Sequence, residues 1–295
     1  MDTSSSKNNL AQAALLMVAA VLFFSLMDSV ARGLARDVHP FEVVWGRYTF
    51  QTIFSVAFLA PKLHIYIKTK HLGLQFTRSL FLFGGTFFFF TALSYLSLAT
   101  TTAIFEIAPL LITLLAIFVL GEKVGVYRIG GVCIGLIGTL IIIRPGSSAF
   151  DPALLLPLGA AICYACYAIS TRVLGNADPA WTSFLYTAVI GTIIACIVVP
   201  FYWTSPELWD FARMAMMGIL GSFAHYLLIL AFTRGEASYI APFGYFGLVF
   251  NATWGFLFYA ERPDIFVIVG AMLVVGAGLF VWYRERKSLG QPSLP

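Results

Sequence analysis

Residues Leu120–Gly131 read "LGEKVGVYRIGG", and residues Tyr259–Gly270 read "YAERPDIFVIVG". Each stretch closes an apolar run with a glutamate beside a cation, Glu122-Lys123 and Glu261-Arg262. Each then places a glycine nine residues after the glutamate, at Gly131 and Gly270. A second echo lies upstream of both. "RGLARDVHP" begins at Arg32 and "RVLGNADP" at Arg172, with Arg47 and Tyr186 seven residues past the two prolines. Self-similarity at half the chain length marks a duplication.

The duplicated unit is a membrane unit. Mean hydropathy is +0.88 and only 11% of residues are charged, against about 25% in soluble domains. Runs of about 20 apolar residues, the length of a bilayer-crossing helix, recur near 10–34, 41–60, 72–97, 99–120, 124–143, 152–174, 180–203, 208–233, 236–260 and 263–283. The expected fold is therefore an all-α membrane protein with ten transmembrane helices. It comprises two five-helix repeats, residues 1–147 and 148–295, in one integral membrane unit. Five is odd, so the copies must be inverted, an architecture that places a binding site between the halves near the bilayer midplane. With the N-terminus cytoplasmic, twelve lysines and arginines fall inside and five outside. The positive-inside bias then predicts both termini in the cytoplasm.

Several classes drop out. Net charge is +4 with no basic run, so no nucleic-acid partner is expected. No GxxxxGK[ST] loop is present, so the chain is not a nucleotide-driven pump by itself. Cys133, Cys163, Cys166 and Cys196 lie in apolar segments, and Cys163-x-x-Cys166 has no second pair or neighbouring histidine. They read as packing residues, with no metal and no cofactor expected. Two other classes stay as alternatives to a carrier. An intramembrane enzyme would need a nucleophile and base or metal ligands at depth, although neither HExxH nor GxSxG occurs, and a channel would need charge rings or a selectivity loop.

The fourth-span segment "P…LLAIFVLGEKVG…G", the ninth-span segment "APFGYFGLVFNATWGFLFYAERP" and the duplicated ten-span layout resemble EamA-type members of the drug/metabolite transporter superfamily, over about residues 10–285. The resemblance implies a secondary transporter of small organic metabolites, such as amino acids, amines or nucleoside-like compounds, working by alternating access in a bacterial inner membrane.

Within the spans, Glu106 is the leading candidate. An ionisable group at membrane depth reads as functional, and Glu106 is expected either to carry a coupling proton or to neutralise a substrate amine. Pro109 lies three residues on; lacking an N–H, it should kink the helix and free the Phe105 carbonyl. "EIAPL" has a local counterpart in "YIAPF", with Pro242 as the second hinge candidate and Tyr239 in place of the acid. The two prolines lie 13 and 19 residues before their glutamates, so the match is local and the glutamates set the repeat register. Arg47 is a candidate for a substrate carboxylate, or pairs with Asp28 or Glu106. Asp28 and Arg32, four apart, are expected to pair on one helix, with Arg32 reaching outward. His225 could relay protons, and Asn251 could bind ligand or join helices. Among the aromatics, Tyr95 and Tyr245 lead, because buried hydroxyls need partners; Phe90 and Tyr167 are expected to wall the site. Glu122 and Glu261 are expected to pair with the adjacent Lys123 and Arg262. Glycines of the fifth and tenth spans read as scaffold or homodimer contacts.

Overall fold

The computed structural model describes residues 3–121, 126–148, 150–175, 177–234 and 241–289. Among them every regular element is a helix: α1 (Thr3–Leu34), α2 (Pro40–Leu59), a short α3 (Leu63–Tyr66), α4 (Leu72–Tyr95), α5 (Leu98–Phe105), α6 (Ala108–Leu120), α7 (Val126–Ile143), α8 (Leu155–Leu174), α9 (Ala180–Val198), α10 (Leu208–Arg234), α11 (Phe246–Tyr259) and α12 (Ile265–Leu289).

Seven of the ten expected spans are long and apolar enough to cross a bilayer, with α5 and α6 together forming one of them. The other three are helical but differ in kind. α2 carries Glu42, Arg47 and Gln51 on its buried face. α7 carries a shorter apolar run, Ile129–Ile143, among the described residues. α11 has 14 residues and follows a 3-10 turn at Ala241–Tyr245.

Local chemistry starts and stops these helices. Pro40 occupies the first turn of α2, where no N–H is needed. His39 caps it, accepting from the Phe41 N–H, while Glu42 accepts from the His39 N–H at 2.9 Å. Ser97 caps α5 by accepting from the Thr100 N–H at 3.1 Å. The duplication is visible in the C-caps: α6 ends on Gly121 (φ +66°) and α11 on Ala260 (φ +52°), each one residue before a repeat glutamate. Alanine is strained in this left-handed conformation. Ala260→Gly is therefore expected to stabilise the protein by about 0.5–1 kcal/mol, the steric relief less the added chain entropy of glycine. A lower melting temperature for the variant would contradict this.

The two halves interleave. α1 packs along α10 as α8 packs along α4; α2 meets α10 as α9 meets α4; α11 meets α1 as α6 meets α8. Two arginines fasten this exchange through a repeat that the sequence reading passed over, "QFTR" at Gln75–Arg78 and "DFAR" at Asp210–Arg213. Arg213 of α10 bonds Asp210 and, at 2.7 Å, Asp37 in the α1–α2 connection. Arg78 of α4 donates to Gln75 Oε1 (3.0 Å), and Gln75 donates to Asp178 (2.8 Å) in the α8–α9 connection. Each half thus ties its third long helix to the first hairpin of the other.

α7 and α12 form a separate seam at the edge of the bundle, where Gly131, Gly135, Gly138 and Gly270 are used inside the chain. A Cβ on Gly138 would lie 2.8 Å from the Gly270 carbonyl, and one on Gly270 would lie 2.5 Å from the Gly138 carbonyl. Backbone cannot yield as a side chain can. Gly138→Val is expected to cost about 1–3 kcal/mol or more, read as a lower melting temperature in detergent. Gly276→Ala faces open space and is the control expected to leave it unchanged.

Candidate functional site

The fourth span is broken where Glu106 and Pro109 predict. α5 ends at Phe105, Glu106 is its C-cap, and α6 starts at Ala108 with Pro109 in its first turn. The Leu110 and Leu111 N–H groups both turn to the Ile107 carbonyl (3.0 and 3.1 Å). Among the described residues no backbone N–H reaches the Phe105 or Glu106 carbonyls. Unpaired backbone at this depth belongs where it meets protein or a watery space.

The break faces α1 and α11, and the three helices meet in layers four residues apart on α5. At the first layer Arg32 Nε donates to Glu261 Oε1 (2.8 Å), Arg32 also donates to the Leu93 carbonyl, and Glu261 Oε2 accepts the Leu98 N–H (2.9 Å). At the second, Asn251 Nδ2 donates to Thr102 Oγ1 (2.9 Å) and to Asp28 Oδ2 (3.2 Å). At the third, Glu106 lies against Gly247, whose absent Cβ would come within 3.9 Å of Glu106 Oε1 and 3.2 Å of Val21. Glu106 is half-buried as a residue, and among the described residues its carboxylate makes no hydrogen bond or ion pair. Tyr164 and Tyr245 are near enough to feel its charge, and Phe105 stacks edge-on against Tyr164 at 5.4 Å.

The other expected residues divide. Arg47 is 5% exposed and does not pair with Asp28 or Glu106. Its Nη1 donates to Thr86 Oγ1 (2.7 Å), its guanidinium lies over Tyr48 and Phe90, and its Nε has no partner. Asn251, 2% exposed, joins α1, α5 and α11 but leaves Oδ1 unpaired. Tyr245 is near enough to feel the Glu106 charge, and its hydroxyl fills the notch left by Gly278. Tyr167 accepts from Arg78 Nη2 (3.0 Å) and so belongs to the α4–α8–α9 knot. His225 shares its Nδ1 with the Gly221 carbonyl (2.8 Å) and packs between Phe24 and Phe184. Tyr95 is 66% exposed at the end of α4: five residues from the buried Phe90, it falls on the far side of the helix. Pro242 lies in the 3-10 turn before α11.

Two expected pairings are corrected. Arg32 is buried and bonds Glu261, so it neither reaches outward nor pairs with Asp28; Glu261 takes Arg32 in place of the adjacent Arg262. Glu122, Lys123 and Tyr239 lie outside the described residues. The residue missed by sequence reading is Asp28. Its signal, an acid inside the first apolar span, was present but was assigned to Arg32. Two cavities of about 420 and 220 Å³ lie elsewhere, one by Trp45 and Trp203 and one between α6 and α7. Neither is lined by a charged side chain.

A family model described as the EamA-like transporter family matches residues 11–144 and again 151–283. The chain belongs to this family. The duplicated EamA unit accounts for the echo with which the sequence opens, and the chain is a multi-pass membrane protein that transports small molecules. Similar proteins include an S-adenosylmethionine uptake transporter of Rickettsia prowazekii, 28% identical over 90% of both chains. A riboflavin transporter of Rhizobium johnstonii is 28% identical over 95% of this chain and 94% of its own. A pseudopaline exporter of Pseudomonas aeruginosa is 25% identical over 89% and 93%. A solved crystal structure, 22% identical, covers 95% of this chain and 99% of its own with a TM-score of 0.63, a likeness of fold. All three named relatives are transporters, so the enzyme reading is set aside. In the EamA frame the break at Glu106 belongs to the first unit, and its counterpart before α11 carries no acid among the described residues.

Proposed function

We propose that this EamA-like protein is a secondary active transporter of a small organic metabolite with an amine and a carboxylate. It works by alternating access across a bacterial inner membrane, with both termini cytoplasmic and the two units inverted. Substrate binds at the break in the fourth span. Glu106 takes its positive group, or a proton in its place, and Arg47 takes its carboxylate; Pro109 and Pro242 let the broken spans bend as access alternates.

One observation carries this reading. Glu106 is half-buried at membrane depth, with a carboxylate that is unpartnered among the described residues, beside a broken helix and aromatic rings. A structural carboxylate would have a cation or donors, as Glu261 does. The reciprocal packing of the halves supports the inverted arrangement, because a two-fold axis in the membrane plane exchanges each contact for its partner.

The test is a thermal-shift screen of purified protein against amino acids, polyamines, S-adenosylmethionine and riboflavin, since a ligand of the folded state raises the melting point. Counterflow of each hit in proteoliposomes follows. Saturable counterflow is expected. Linear, non-saturating flux, or a chemically altered product, would overturn the proposal.

A further inference from the structure

The α1–α5–α11 seam holds more carboxyl groups without ion-pair partners than one substrate amine explains. In its first layer Glu261 already has two cations, Arg32 at 2.8 Å and Arg36 at 3.8 Å. The next two layers carry Asp28 and Glu106, about 6 Å apart along α5 at one helical turn, and no lysine, arginine or histidine forms an ion pair with either among the described residues. Asp28 has one hydrogen-bond partner there, Asn251 Nδ2.

Asn251 Oδ1, on the amide that donates to Asp28, is a deeply buried acceptor without a partner, and Arg47 Nε on α2 is a deeply buried donor without one. A buried polar atom left unpaired is costly, and an acceptor and a donor so left are what a bound ligand would satisfy. Thr102 on α5 adds no charge, Tyr164 and Tyr245 are near enough to feel the charge of Glu106, and His225 on α10, against Phe24 of α1, is a further titratable group within reach of the Arg47 charge.

The site then offers two carboxyl groups, Asp28 and Glu106, and one guanidinium, Arg47. We infer that Asp28 with Asn251 Oδ1 is a second cation subsite, so that the substrate is an amino acid of net charge +1. Its carboxylate lies on Arg47, its α-ammonium on Asp28 and Asn251, and a second cationic centre, amine or onium, on Glu106. Phe105, Tyr164 and Tyr245 offer that distal cation aromatic surface. This rests on the substrate site proposed above and adds its charge class.

The test uses purified full-length protein in proteoliposomes, with thermal shift and counterflow for L-lysine, L-arginine and S-methyl-L-methionine (net +1), L-leucine and L-methionine (net zero), and putrescine, which lacks a carboxylate. Wild type is expected to favour at least one net +1 amino acid over the neutral ones and putrescine by tenfold or more. Asp28→Asn should erase that preference, and Asp28→Glu should keep it, which separates lost charge from lost folding. The inference is overturned if wild type takes none of the net +1 amino acids, takes neutral ones equally well, or keeps its preference in Asp28→Asn. Should the underlying site be wrong instead, transport of every probe will be indifferent to Glu106→Gln.

Discussion

Glu106→Gln is expected to reduce transport by roughly 30-fold or more while leaving the fold intact. Removing one member of a buried charge pair costs about 2–5 kcal/mol, and each 1.4 kcal/mol is about tenfold in affinity. Here the pair forms only with substrate or proton, so the whole cost should fall on transport. The free protein loses little, because glutamine keeps the shape and the carboxylate makes no hydrogen bond or ion pair among the described residues. Uptake or efflux in proteoliposomes under imposed pH gradients reads both consequences. Wild type should respond to the gradient, and the variant should be slow and indifferent to it. A variant that moves substrate with the wild-type pH dependence would remove Glu106 from the mechanism. An equal fall in melting temperature and rate would make it a structural residue.

The opposite pattern is expected at Arg32 and Glu261. Both side chains are about one-tenth exposed, they bond at 2.8 Å, and each has a further role. Arg32 donates to the Leu93 carbonyl of α4, and Glu261 accepts the Leu98 N–H that opens α5. Glu261→Ala strands a buried guanidinium and uncaps α5, at an expected cost of about 3–5 kcal/mol. Replacing both with apolar residues removes the stranded charge as well, so Arg32→Met/Glu261→Leu should recover much of that loss. Melting temperatures of the two single variants and the double variant form the cycle. Singles that melt with the wild type would show that the pair does not hold α1, α4, α5 and α11 together.

How these residues could be read from sequence depended on the distance to their partners. Glu106 was legible because a lone carboxylate with a proline three residues on has no local explanation. Asp28 was hidden by a plausible local one. Arg32 stands one turn away, and its actual partner, Glu261, is 229 residues distant. The glutamate echo survived duplication because it marks helix ends, where Gly121 and Ala260 share a left-handed cap. The "QFTR" and "DFAR" match was as visible, but its meaning lies in contacts to the opposite half, which no spacing reveals. Tyr95 and Phe90 show a different limit. In a soluble helix the apolar face points inward. In a bilayer both faces are apolar, so an aromatic residue carries no sign of which way it turns. Span count suffered similarly: α2 is polar because it lines the protein interior with Arg47 and Gln51, and α11 follows a 3-10 turn at Ala241–Tyr245.

The most direct measurement concerns access to the break in the fourth span. Phe105→Cys, in protein with Cys133, Cys163, Cys166 and Cys196 replaced by alanine or serine, would be exposed in sealed oriented vesicles to a membrane-impermeant maleimide. Alternating access predicts labelling from either face, with labelling from one face preventing labelling from the other. Labelling from one face only, or from neither, would contradict a transport site at Glu106.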